Sequence, residues 1–120
     1  MPKRDVITFL EDILICCQKI EKYTKGKDYA EFTKEEIIID AVVRNLEIIG
    51  EATKKIPVSL RKKYNQIEWK KIAGLRDILI HDYFGINYKI LWDIVKNKIP
   101  LLKEQINEII KREINNQKEV

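Results

Sequence analysis

Histidine occurs only once in this chain, at His81, and cysteine only twice, at the adjacent positions Cys16 and Cys17. So few soft ligands, with no His/Cys/carboxylate cluster at ligand spacing, exclude a structural or catalytic zinc site. Neighbouring residues on a helix point about 100° apart, so Cys16 and Cys17 cannot form an ordinary disulfide. Unpaired thiols predict a reducing, cytoplasmic setting, with Cys17 packed in the core and Cys16 incidental. Serine is confined to Ser59, next to a helix start, which removes a serine-type triad. No glycine-rich phosphate loop is present, and the sequence calls for no cofactor and no metal. No apolar run approaches the roughly 20 residues of a membrane span. Met1-Pro2-Lys3-Arg4-Asp5 leads straight into an amphipathic pattern without the marks of a signal peptide. Three prolines and four glycines leave few turns, which favours helices.

The 120 residues are one domain's worth, 45% hydrophobic and 35% charged, a globular balance with enough chain to bury a core. The net charge of +4 permits a nucleic-acid partner and fits a mixed solvated surface equally well. Val6, Leu10, Ile13, Leu14, Cys17 and Ile20 form an apolar stripe that predicts a helix over about residues 3–24, closed by Gly26. Asp28 to Phe32 reads as a connection, and Thr33 with Glu36 as the capping box of a second helix that stops before Pro57. That helix is apolar over more than one stripe, which predicts a central position and contact with a second subunit. A short turn follows over Pro57 to Tyr64. A helix from about Glu68 to Gly85 and a last one capped by Asn87 complete the chain. Pro100 is expected to distort the last helix without ending it, because Leu102, Ile106 and Ile109 keep its period. No strand-like alternation is seen. The expected fold is all-α, a four- to five-helix up-and-down-like bundle over residues 1–112, with a polar tail over 113–120 that frays.

The segment Gly74-Leu75-Arg76-Asp77-Ile78-Leu79-Ile80-His81-Asp82-Tyr83 carries polar groups that a plain bundle does not need. On a helical wheel with Ile72 at zero, Arg76 lies near 40°, between Leu79 near 340° and other apolar positions. A guanidinium in an apolar stripe must snorkel, pair with an acid, or line a wet pocket or interface. His81 lies about 140° from Arg76 on that wheel. Either the helix distorts between them or a second copy of the motif completes a site. Taken singly, His81 reads as structural or incidental and Tyr83 as a core residue with its hydroxyl at the surface, while a buried ion pair is one reading of Arg76 among those alternatives.

Taken together, the spacing Arg-x4-His-x-Tyr resembles the signature of the HEPN superfamily, and the wider segment resembles its HepT branch, the toxin half of a toxin–antitoxin pair. Arg44-Asn45-Leu46-Glu47-Ile48-Ile49-Gly50-Glu51-Ala52 and Trp69-Lys70-Lys71-Ile72-Ala73 are similar to the corresponding segments of that family. The resemblance implies a homodimeric bundle with two motifs facing each other across the two-fold axis, and metal-independent cleavage of RNA. It implies a type VII-like system in which a small nucleotidyltransferase antitoxin of the MntA type transfers AMP to Tyr83. Asp77 fits the polar residue that the family often carries after the arginine.

Metal-free cleavage by a neighbouring 2′-hydroxyl needs a base, an acid and positive charge at the phosphorane. His81 is the one side chain here whose ordinary pKa lies near neutrality, and Arg76 offers a fixed fork of donors to phosphate oxygens. A single histidine per chain cannot be base and acid at once, but a two-fold dimer supplies two. Lys70, Lys71 and Lys89 are candidate RNA-backbone contacts, or else ordinary solvated surface. A non-catalytic HEPN-like module that binds RNA or nucleotide, or that pairs with the antitoxin, is the second reading.

Overall fold

The structure is a computed structural model that describes residues 3–75, 77, 80–82 and 85–118. It is helical apart from one small hairpin: α1 (Lys3–Thr24), α2 (Tyr29–Thr33), α3 (Glu36–Lys54), α4 (Val58–Lys63), α5 (Trp69–Ala73), β1 (Ile80–Asp82), β2 (Gly85–Ile86), α6 (Tyr88–Asp93), a π-helical turn (Ile94–Lys98) and α7 (Ile99–Lys118). Three long helices, α1, α3 and α7, make the body of the expected all-α bundle. No described helix is long and apolar enough to cross a membrane.

The middle helix is α1, which packs against α3 on one side and α7 on the other. The sequence pattern gave the central place to the second long helix. The exposure of Ile37, 85% open to solvent, shows why that pattern misled: part of the apolar surplus of α3 faces outward. Val6, Leu10, Ile13, Cys17 and Ile20 of α1 meet Val42, Leu46 and Ile49 of α3 and Leu102, Ile106 and Ile109 of α7, all buried. Cys16 is buried as well, so it is a core residue and not an incidental one.

Local chemistry fixes the ends of the elements. Asp28, with extended backbone, accepts from the Glu31 N–H at 2.8 Å, while the Glu31 carboxylate accepts from the Asp28 N–H at 3.1 Å. This is the capping box of α2, and it replaces the one expected at Thr33 and Glu36. Thr33 instead lies inside α2, its hydroxyl donating to the Ala30 carbonyl, and Glu35 precedes α3 without a side-chain cap. At the other end of α3, Arg61 donates from Nε to the Ile56 carbonyl at 3.0 Å and from a terminal nitrogen to the Thr53 carbonyl at 2.6 Å. It satisfies acceptors that a helix end leaves open and fixes the turn into α4.

The last helical run starts where expected, with the Asn87 side chain accepting from the Ile90 N–H at 3.1 Å. Pro100 lacks the N–H that an α-turn requires, and the distortion takes the form of the π turn just before it, where the Ile99 N–H reaches back to Ile94. The helix continues through residue 113 to Lys118. Glu113 is buried, and a buried carboxylate needs partners: Tyr64 and Lys63 supply them. That carboxylate ties the helix at residue 113 to the corner between α4 and α5.

Burial pushes the Cys17 thiol up to about 12, with the neighbouring Cys16 and Glu21 adding to the rise, and burial also raises Cys16. The unfolded chain therefore gives up the Cys17 proton near its ordinary value of 9.0, while the folded chain keeps it. Stability contributed by this group is full below pH 9 and declines as pH rises toward 12. Denaturant titrations across that window are expected to show the decline, with a shallower slope in Cys17→Ala. At pH 8 both thiols should resist a thiol reagent until the chain is unfolded; rapid labelling of the folded chain would contradict their burial.

Candidate functional site

The motif is delivered by α5, and α5 is placed by two contacts. The first is steric. Gly50, buried in α3, faces the backbone of α5 so closely that a Cβ there would lie 3.1 Å from the Ala73 carbonyl oxygen and 3.6 Å from that of Ile72. The second is a hydrogen-bond chain. The buried Trp69 indole donates to the Tyr64 carbonyl at 3.0 Å, the Tyr64 hydroxyl donates to Glu113 Oε2 at 2.7 Å, and Lys63 Nζ sits 2.9 Å from the same oxygen. Burial, then the hydrogen bond to Glu113 and its charge, raise the Tyr64 phenol above its ordinary value. The corner between α4 and α5 is thus tied to α7.

Beyond Gly74 the chain departs from the long helix predicted through to Gly85. Leu75 is buried, and Leu75 and Asp77 are helical, but by Ile80 the chain is extended. Ile80 pairs with Ile86 and Asp82 with Gly85 in an antiparallel ladder with an irregular register. The β-branched Ile80 favours extended backbone. Gly85 adopts φ +105°, which only glycine takes without strain. Among the described residues the chain is helical at Asp77 and extended by Ile80, and the His81 backbone lies in β1, a departure from the ideal helix of the wheel. Arg76 and Tyr83 lie outside the described residues, as does the side chain of His81.

Asp77 is exposed and opens onto a concave surface of about 440 Å³ that it shares with Arg44, Glu47, Gly50, Glu51, Lys54 and Ala73. Arg44, Glu47, Glu51 and Lys54 recur at steps of three and four residues and form one charged stripe along α3. Arg44 pairs with Glu47 at 3.7 Å and Lys54 with Glu51 at 3.4 Å, both exposed enough for solvent to screen them. Sequence reasoning passed over this stripe, although its spacing around Gly50 was a signal for it. Of the three lysines put forward for RNA, Lys71 pairs with Glu68 at 2.7 Å, and Lys70 and Lys89 are exposed. Among the described residues no group of three metal-ligating side chains comes together.

The family model of the HepT-like ribonucleases matches residues 13–109. The chain belongs to that family. A protein of Methanocaldococcus jannaschii, provisionally named an RNase, is 50% identical over 92% of this chain and 96% of its own length. A similarly named protein of Caldanaerobacter subterraneus subsp. tengcongensis is 45% identical over 88% of this chain and 94% of its own. A protein of Thermococcus cleftensis, named probable ribonuclease HepT, is 39% identical over 91% and 99%. No solved structure gives a significant match. In this HepT-like ribonuclease the matched span covers α3, α5, the hairpin and α7 as far as residue 109, so the crossing of α5 over Gly50 lies inside it and the Glu113 anchor lies just beyond it.

Gly50→Val places side-chain carbons against a backbone carbonyl that has no rotamer to change. It is expected to cost about 1–3 kcal/mol of stability by overpacking and to unseat α5, whereas Glu51→Ala on the same stripe should leave stability within about 0.5 kcal/mol. Denaturation curves of the two variants check this. Wild-type stability in Gly50→Val would contradict the close approach.

Proposed function

We propose that this chain is a metal-independent endoribonuclease toxin that acts as a homodimer, with two copies of Arg76 and His81 converging on one scissile phosphate. The supporting observation is that a member of the HepT-like family carries Arg-x4-His-x-Tyr intact where its helix gives way to extended chain. An extended His81 backbone frees the imidazole from the 140° separation that an ideal helix would impose.

In the proposed reaction, one His81 takes the proton of the 2′-hydroxyl and O2′ forms a bond to phosphorus. The bond from phosphorus to O5′ breaks, and the imidazolium of the other subunit's histidine gives its proton to O5′. The products are a 2′,3′-cyclic phosphate and a 5′-hydroxyl. The guanidinium of Arg76 balances the charge that gathers on the phosphorane oxygens. Asp77, next to the arginine and facing the charged stripe of α3, supports the site. AMP added to Tyr83 by an MntA-like nucleotidyltransferase antitoxin would set bulk and negative charge against Arg76 and block RNA.

Purified chain mixed with single-stranded RNA and excess EDTA is expected to cut it and leave cyclic phosphate ends. His81→Ala should slow cleavage at least about 10²-fold. Chain co-expressed with the nucleotidyltransferase should be inactive, with the mass of AMP on Tyr83. Cleavage that stops in EDTA or survives His81→Ala contradicts the chemistry; AMP at another residue, or none, contradicts the silencing.

A further inference from the structure

The face that follows the hairpin combines exposed aromatics with lysines that have no acidic partner. Tyr88 opens α6 immediately after β2 and Asn87, and it is 42% exposed. One turn on, Trp92 packs its ring on buried Phe32 at 4.9 Å and meets Tyr29 edge-on at 6.4 Å, and Tyr29 is itself 37% exposed. The Lys96 ammonium sits over the Trp92 ring, 5.5 Å from its centroid. Lys96 then shares a concave surface with Lys22 and Lys25 at the end of α1. From Tyr88 to Lys96 the helical rise is about 12 Å, the length of about three stacked nucleotides at roughly 3.4 Å each.

The acidic groups near this face are already engaged with other partners. Glu21 is paired with Lys103 at 2.6 Å and Glu35 with Lys27 at 2.6 Å. Asp28 and Glu31 are taken up by the capping box, and Asp93 accepts from Asn97 at 2.6 Å. Among the described residues, Lys22, Lys25 and Lys96 have no carboxylate within ion-pair distance. The cations of the α3 stripe and Lys71, by contrast, each have one. Three ammonium groups without an ion-pair partner among the described residues, beside exposed aromatic rings, suit a polyanion whose units carry flat faces.

We propose that this face is a single-stranded RNA ledge, on which Tyr88 and Tyr29 stack on bases and Lys22, Lys25 and Lys96 hold phosphates, extending the substrate path away from the motif. The proposal rests on the ribonuclease reading for the identity of its ligand. Its probe is therefore a single-stranded 2′-O-methyl oligonucleotide, which lacks the attacking hydroxyl and reports binding without cleavage. The full chain should bind it with an affinity that falls about tenfold in Tyr88→Ala, one stacked base being lost, and that returns in Tyr88→Phe. Removing all three lysines (Lys22→Ala, Lys25→Ala, Lys96→Ala) should flatten the log–log salt dependence by about 2, at roughly 0.7 per phosphate contact. The half-buried Trp92, packed on Phe32, is left intact so that every variant folds. With cleavable RNA the same variants should raise KM and leave kcat unchanged. Unchanged oligonucleotide affinity and KM in both variants would overturn the ledge and leave the ribonuclease reading standing. Competition by polyglutamate that is indifferent to Tyr88 would reassign the face to an acidic protein segment and overturn the RNA assignment. A chain that neither binds nor cuts RNA would contradict the ribonuclease reading itself.

Discussion

The backbone of α5 crosses α3 at Gly50, and the placement of the motif depends on that crossing. A Cβ at position 50 would lie 3.1 Å from the Ala73 carbonyl oxygen, tight enough that the α5 backbone would have to give way. Close approach leaves α5 little freedom to slide, and the chain from Trp69 through Tyr64 to Glu113 holds its other end to α7. The five-residue helix α5 is too short to be stable by itself. Its geometry is imposed by what it touches.

Charge is distributed unevenly around this frame. On α3 each cation beside the motif has a glutamate neighbour, so that stripe presents little net attraction to a phosphate backbone. On the face built from α6, α2 and the end of α1, the carboxylates are engaged in capping and with other lysines, and Lys96 sits over an aromatic ring. The proposed chemistry is carried by the motif. It needs a general base, a general acid and a fixed positive charge, and each chain brings one imidazole.

Much of this was legible in the sequence because it depends on local pattern. The apolar period of α1, the Asn87 cap and the persistence of the last helix past Pro100 follow from residue spacing and side-chain reach. Arg-x4-His-x-Tyr, with the segments around Gly50 and Trp69, was enough to place the chain in its family. What escaped was set by distant partners or by competition between close alternatives. Asp28 and Thr33 both head sequences able to cap a helix, and the extended backbone at Asp28 won. Glu113 reads as a solvated tail residue until Tyr64 and Lys63 are brought to it across the fold. The end of the motif helix before Ile80 is written only weakly, in β-branched isoleucines and one glycine, and the apolar period masked it. The expectations for Arg76, Tyr83 and the His81 side chain fall outside the described residues.

The central claim is that one active site needs a histidine from each of two chains. Differently tagged wild-type and His81→Ala chains can be co-expressed and the mixed dimer isolated through both tags. The account predicts that this dimer, with a single imidazole, cuts RNA about 10²-fold more slowly than wild type, close to the doubly substituted dimer. A mixed dimer that keeps half or more of the wild-type rate would mean that each chain carries a self-sufficient site, and would contradict the account.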